Sequence, residues 1–244
     1  MTKKKIIIMS IVGLLVIAIA FLFITKPGDA SVAPPTVTAN FMDIDKIDKI
    51  SKFRSCQGHT VVPQDESETK RNMKHYVILK KELWGGGGKI AVYAPVDGRV
   101  AGIRSEKEKG LEGEISFSVG GSRWEVSYLH LDVLDGVKKR QKVKSGQIIG
   151  YASDKGVDVV YSTGGGILPK NINGYYSPYG KLDSIFNHMS ADLLAQYQAK
   201  GISQTDMNYS KEFRDASPCE YVENSPNEAQ LNDFAHQEDW VQIK

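Results

Sequence analysis

The chain has 244 residues, 41% of them hydrophobic and 25% charged, a globular composition that excludes a disordered or collagen-like protein. The formal net charge of +2 is unevenly placed: Lys3, Lys4, Lys5 and Lys26 against Asp29 give the first thirty residues +3, which leaves the remainder at −1. A near-neutral body offers no electrostatic footprint for nucleic acid, and that class is excluded as a partner.

Ile6 to Ile24 carries no charge and is rich in Ile, Leu, Val and Phe. As a helix it would reach about 28 Å, close to the hydrocarbon thickness of a bilayer. Lys3 to Lys5 precede it, so the positive-inside rule predicts residues 1–5 in the cytoplasm, a transmembrane helix over 6–24, and everything beyond on the far side of the cell membrane. A cleaved signal peptide is the competing reading, but its apolar region usually runs about 7 to 15 residues. Residues 25–50 read as a linker: Thr25 to Asn40 is a Pro/Ala/Thr/Val spacer, and Asp43 to Lys52 places Ile44, Ile47 and Ile50 three apart, which predicts a short amphipathic helix.

From Tyr76 to Tyr161 the pattern is β. Tyr76–Leu79 and Ile90–Tyr93 are short apolar runs on either side of a glycine run that reads as a hairpin tip. Ile115, Phe117 and Val119 alternate with polar neighbours, and Trp124 to Leu131 and Ile148 to Ala152 follow, with Asp-Gly and Ser-Gly turns between them. Short strands at this spacing predict a mainly β fold, a compact antiparallel sandwich or barrel-sandwich over residues 51–163. Residues 164–244 read as a helical extension and tail, with a helix over Lys181 to Lys200 that Gly201 stops. Trp240 is a packing anchor in an otherwise polar tail. Cys56 and Cys219 lie near the two ends of this folded region. Outside the cytoplasm they either close one long loop or stand as two separate thiols.

Two stretches belong together. One is Ala94-Pro95-Val96-Asp97-Gly98-Arg99-Val100. The other is Tyr128-Leu129-His130-Leu131, followed by Val143 and Ser145-Gly146-Gln147-Ile148-Ile149-Gly150. In combination they resemble the M23 (lysostaphin/LytM-like) peptidase family, with its A-P-x-D-G-x-V, Y-x-H-L and G-Q-x-I-G signatures. The resemblance implies a duplicated-hybrid-motif β fold and a zinc ion held by the His and Asp of an H-x3-D motif and the second His of an H-x-H strand. The first His of that strand and the His of Y-x-H-L would polarise the bound water. Three protein ligands and an open fourth position are what zinc hydrolysis requires.

The ligand set is incomplete. His59 follows the approach Phe53-Arg54-Ser55-Cys56-Gln57-Gly58 and is the candidate first ligand, but the fourth residue after it is Pro63, with Asp65 and Glu66 just beyond. Where H-x-H is expected, Asp158 and Val160 stand, and an aliphatic side chain offers no donor. His130 matches Y-x-H-L and would be the catalytic histidine if the site were active. A rearranged zinc site of His59, Asp65 and His75 is the alternative, and otherwise these are hydrogen-bonded loop and strand residues. His188 and His236 read as surface residues. The expectation is a membrane-anchored, extracytoplasmic, non-catalytic M23-like module of the cell envelope with no cofactor, binding wall material or an envelope protein. A zinc metalloendopeptidase with a rearranged site is the second reading. A carrier-like or membrane-fusion-type adaptor is the third, since those domains share the hairpin.

Overall fold

The computed structural model describes residues 32–85, 89–106, 111–153, 155–166, 168–225, 229–232 and 235–244. The apolar segment 6–24 lies outside them, and no described helix is long and apolar enough to cross a membrane.

Strands dominate. In chain order they are β1 (Ile47–Ser51), β2 (His75–Leu79), β3 (Ala91–Tyr93), β4 (Gly98–Glu106), β5 (Leu111–Ser118), β6 (Trp124–Val133), β7 (Lys142–Val143), β8 (Ile148–Ala152), β9 (Gly156–Gly164), β10 (Lys170–Ile172), β11 (Tyr175–Ser177), β12 (Tyr179–Asp183) and β13 (Trp240–Gln242). One sheet runs in the order β13-β1-β2-β9-β6-β5-β4-β7, with β12 also on β9 and with β8 bridging β3 and β6. The strand pairings are antiparallel, and β10 and β11 form a separate ribbon. Among the described residues two short helices, α1 (Ala191–Gln198) and α2 (Lys211–Ala216), lie in the C-terminal part.

Side chains alternate across this sheet. On one side Val77, Leu79, Val126, Tyr128, Val157 and Val159 join the main core. On the other, Val160 packs with Phe53, Val61, Val62, Met73 and Ile172 in a smaller one. The functional surface lies on this second side.

Three local expectations change. The Ile44/Ile47/Ile50 spacing gives one 3-10 turn, Ile44–Lys46, and then β1, because the backbone of Ile47–Ser51 pairs with β2 on one side and β13 on the other. Burial of Ile47 and Ile50 in a sheet outweighs a three-residue period over so short a segment. The expected helix over 181–200 is a strand, a 3-10 turn and a helix in succession: Lys181 to Asp183 pair with β9, Ile185–His188 turns, and Ser190 caps α1 through Leu193 N–H. Gly86 to Gly88 lie outside the described residues, and the strands on either side of them are not paired with each other, since β2 pairs with β1 and β9 whereas β3 pairs with β8.

The C-terminal tail is integral to the sheet through β13, and Lys49 lies over the Trp240 ring at 4.2 Å. Cys56 and Cys219 form a disulfide, so the first of the two thiol readings holds.

Candidate functional site

β2 and β9 set the site. Tyr76 stands opposite Asp158 and His75 opposite Val159, so Lys74, Tyr76 and Ile78 share the face of Asp158 and Val160, while His75 and Val77 face the main core. Lys74 Nζ lies 2.6 Å from Asp158 Oδ2, with the two side chains 3% and 6% exposed. The ammonium also sits 4.5 Å from the centre of the Tyr76 ring.

His130 reaches the same carboxylate by a backbone irregularity. Along β6, Tyr128 points into the main core and Leu129 to the site face, so the next residue would point back into the core. His130 instead has φ +64°, and the register against β5 shifts at this point, Glu114 opposing Leu129 and Gly113 opposing Leu131. The extra residue is a β-bulge, a device that re-aims a side chain at the cost of one ladder position. The ring thereby reaches Asp158, Nε2 to Oδ2 3.3 Å, and its Nδ1 meets the Glu112 carboxylate.

The charges settle accordingly. His130 is raised to about 9, first by its hydrogen bond to Asp158 and then by the charges of Asp158 and Glu112, against burial. Burial pushes Asp158 up, but the His130 hydrogen bond and the Lys74 and His130 charges outweigh it and hold the carboxyl below its ordinary value. Lys74 is raised, its burial overcome by Tyr76 and Asp158. Two cations and two carboxylates thus alternate along Lys74, Asp158, His130 and Glu112. An imidazolium has no lone pair, so His130 in this state cannot accept a proton from water.

His59 stands beside this network. Its Nδ1 is 3.3 Å from the Tyr76 hydroxyl, and burial, followed by the Lys74 charge, lowers it to about 4. The hydroxyl fits only because residue 58 is glycine: a Cβ there would lie 2.0 Å from it, and Gly58 has φ +70°. The loop is held from behind by the C-terminal segment, Thr60 N–H donating to Ala229 O and Leu231 N–H to Gly58 O. His59 and Lys74 open onto a groove of about 570 Å³, walled also by Leu129, Tyr175, Tyr179 and Arg104.

The three expected metal residues do not converge. His75 lies on the opposite face of the sheet, where Nδ1 meets Ser51 O at 2.7 Å and Nε2 meets Ser184 Oγ at 2.9 Å. Burial lowers it to about 4, so it is a neutral core histidine. Asp65 is exposed and accepts from Ser67 N–H and Oγ–H. His59 alone of the three faces the groove. Residues four apart on a strand share a face, so an H-x3-D motif beside Asp158 would occupy Lys74 and Ile78, not His59 and Pro63. Neither Lys74 nor Ile78 is a donor, and Val160 completes a set with no lone pair to give. A zinc ion does not fit these residues, because a protonated amine stands at the carboxylate that would face the metal. Among the described residues one trio of metal-type donors lies close together, Cys56, His236 and Asp239. Its sulfur is bound in the disulfide and Asp239 is paired with Arg214.

His188 and His236 are half-buried, contrary to the surface reading. His188 stacks on Tyr161 at 4.4 Å and meets Asp183, and His236 lies 3.3 Å from Glu238. Lys74, Tyr76 and Glu112 are the residues that sequence reasoning passed over. The available signal was the alternation Lys74-x-Tyr76-x-Ile78, which has the H-x3-D spacing.

Residues 85–166 match the model of Peptidase family M23. Among solved structures the chain is similar to lysostaphin in solution (18% identity, 46% of this chain and 48% of that one, TM-score 0.31). It is also similar to LytU (18% identity, 47% and 78%, TM-score 0.31) and to the SpoIIQ-SpoIIIAH pore forming complex (13% identity, 68% and 99%, TM-score 0.39). The chain spans about half the length of the lysostaphin chain that it matches. No curated protein matches it.

Proposed function

Starting from an M23-like peptidase domain over residues 85–166, we propose that the protein is a non-catalytic member of that lineage, anchored in the cell membrane by residues 6–24. Its groove would serve outside the cytoplasm as a binding or regulatory module for wall material or an envelope protein. One observation carries the reading: the Lys74 ammonium is buried 2.6 Å from Asp158. An ammonium there does two things a hydrolase would not tolerate. It repels a divalent cation, and it helps fix Asp158 as the acceptor that keeps His130 protonated.

His59, Tyr175 and Tyr179 give the groove aromatic and hydrogen-bonding walls, the composition of a recognition surface. The test uses the full-length protein in detergent, loaded with zinc and then desalted. The expected result is substoichiometric zinc by mass spectrometry, no release of amines from cross-linked wall peptides, and co-sedimentation with purified sacculi. One zinc per chain together with peptide cleavage would return the protein to the hydrolases.

A further inference from the structure

A second cavity opens at the far end of β9. It shares no lining residue with the groove, although Tyr179 of the groove wall adjoins Gly180 of this cavity. It measures about 540 Å³ and is lined by Asp65, Arg123, Trp124, Gly164, Gly165 and Lys181.

Its wall is bare backbone held in one shape. Gln64 Oε1 accepts from Gly166 N–H at 2.5 Å, while the Gln64 amide donates to Ser177 O and Leu168 O. A Cβ on Gly165 would lie 2.4 Å from Gln64 Oε1, and one on Gly180 would lie 2.6 Å from Gly164 O. No side chain larger than hydrogen fits at either position. The aromatic group is equally fixed. Trp124 stacks on Tyr161 at 5.2 Å, Tyr161 stacks on His188 at 4.4 Å, and Trp124 also meets His188 at 5.9 Å, so the indole belongs to a cluster of three rings that sets its plane.

The charges are uncommitted. Arg123 and Lys181 are exposed, and neither joins an ion pair among the described residues. Asp65, the one carboxylate in the wall, is already accepting two hydrogen bonds from Ser67. A fixed indole presents a surface for the apolar C–H face of a ring, and two free cations beside it select a negative group on that ring.

We propose that this cavity binds an acidic saccharide, a pyranose carrying a carboxylate or phosphate. The choice of a sugar over other ring-bearing anions rests on the envelope reading above. Glycan recognition here would be independent of the groove, so the domain would touch the wall at two points.

The test titrates the full-length protein in detergent with N-acetylmuramic acid and reads tryptophan fluorescence. N-acetylglucosamine, its neutral twin without the lactyl carboxylate, is one control, and adenosine monophosphate is another. The expected result is a saturable change with the acidic sugar and an affinity at least about ten-fold weaker for both controls. Arg123→Glu with Lys181→Glu, two exposed positions that leave the core intact, should abolish the response with an unchanged circular dichroism spectrum. The response should also vanish in Trp124→Phe, which leaves Trp84 and Trp240 to report any binding elsewhere. No saturation by about 10 mM, equal response to the neutral sugar, stronger response to the nucleotide, or a response that survives either variant would each overturn the assignment. Failure here is distinguishable from failure of the groove reading. Sedimentation with sacculi by a protein blind to the free sugar removes this site and leaves the groove.

Discussion

Among the described residues, two of the buried ion pairs are built for different ends. Arg214 Nη2 and Asp239 Oδ1 lie 3.0 Å apart at 2% and 0% exposure, deep between α2, the Cys56 loop and the C-terminal strand. Each is fully occupied: Arg214 also donates to Arg54 O and Ser217 O, and Asp239 accepts from Cys56 N–H. Lys74 and Asp158 are nearly as buried, but Asp158 is shared with His130, whose side chain is 49% exposed at the rim. The first pair is sealed beside a disulfide and fixes one chain segment against another. The second ends a charge chain that opens to solvent. A sealed pair has one arrangement, whereas a shared carboxylate can lose one partner and keep the other. Substitutions at the first should therefore cost stability, and substitutions at the second should chiefly redistribute charge.

The largest effect belongs to the sealed region. The disulfide joins residues 163 apart, and closing so long a loop removes about 5 kcal/mol of unfolded-chain entropy in the simplest treatment, with measured losses nearer 2–5 kcal/mol. Cys56→Ala with Cys219→Ala is expected to lower denaturant stability by that amount and to loosen the His59 loop, whose backbone partners are Ala229 and Leu231. Hydrogen exchange at Gly58 to Val61 measures the second effect. Stability and exchange both equal to wild type would mean that the clasp is ornamental.

Next comes Asp239→Asn, which leaves a buried guanidinium without its counter-charge. Breaking such a pair costs about 3–5 kcal/mol. Lys74→Met should cost less, about 1–2 kcal/mol, because Asp158 keeps His130 and the methionine fills the lysine's stem volume. The more telling readout is electrostatic. Loss of the Lys74 charge should move the His59 titration upward from about 4, since that charge is the second cause holding it down. If Lys74→Met proves as damaging as Asp239→Asn, the contrast between a shared and a sealed pair is wrong.

The sequence carried the β core because its signals are local. Alternation at Ile115 and Phe117, the Asp97-Gly98 turn and the Tyr128-to-Gly150 signatures each report on a few neighbours, and each lies where the strands are. The site was less legible, for a physical reason. Which residue of β2 faces Asp158 is decided by register with a strand some eighty residues away, and a shift of one residue exchanges His75 for Lys74. His59 is a histidine near the expected place, yet Lys74 holds the position beside Asp158. The bulge that turns His130 toward Asp158 leaves no mark in composition either. The C-terminal segment departs from its pattern for the opposite reason: Leu182 to Tyr197 has helical spacing, but strand β9 has an open edge for Lys181 to Asp183 to join.

The smallest effect is the alkaline limb of the pH dependence, whose sign sets His130 apart from His59 and His75. His130 titrates at about 9 in the folded chain against about 6.5 in the unfolded one, so its contribution is complete below about pH 6.5 and is lost as pH rises through 9. His75 on the core face and His59 at the groove both titrate at about 4, so their contribution is present above about pH 6.5 and is lost as pH falls toward 4. Their sum is a maximum near neutral pH with two limbs of different origin. The alkaline limb is shallow, because His130 is half exposed and solvent screens its partners. His130→Gln should flatten that limb between pH 7 and 9.5 and leave the acid limb in place. NMR titration of the His130 ring decides the matter directly: a midpoint near 6.5 would mean that Asp158 and Glu112 do not hold the proton on it, and the charge chain through Lys74 would lose its outer half.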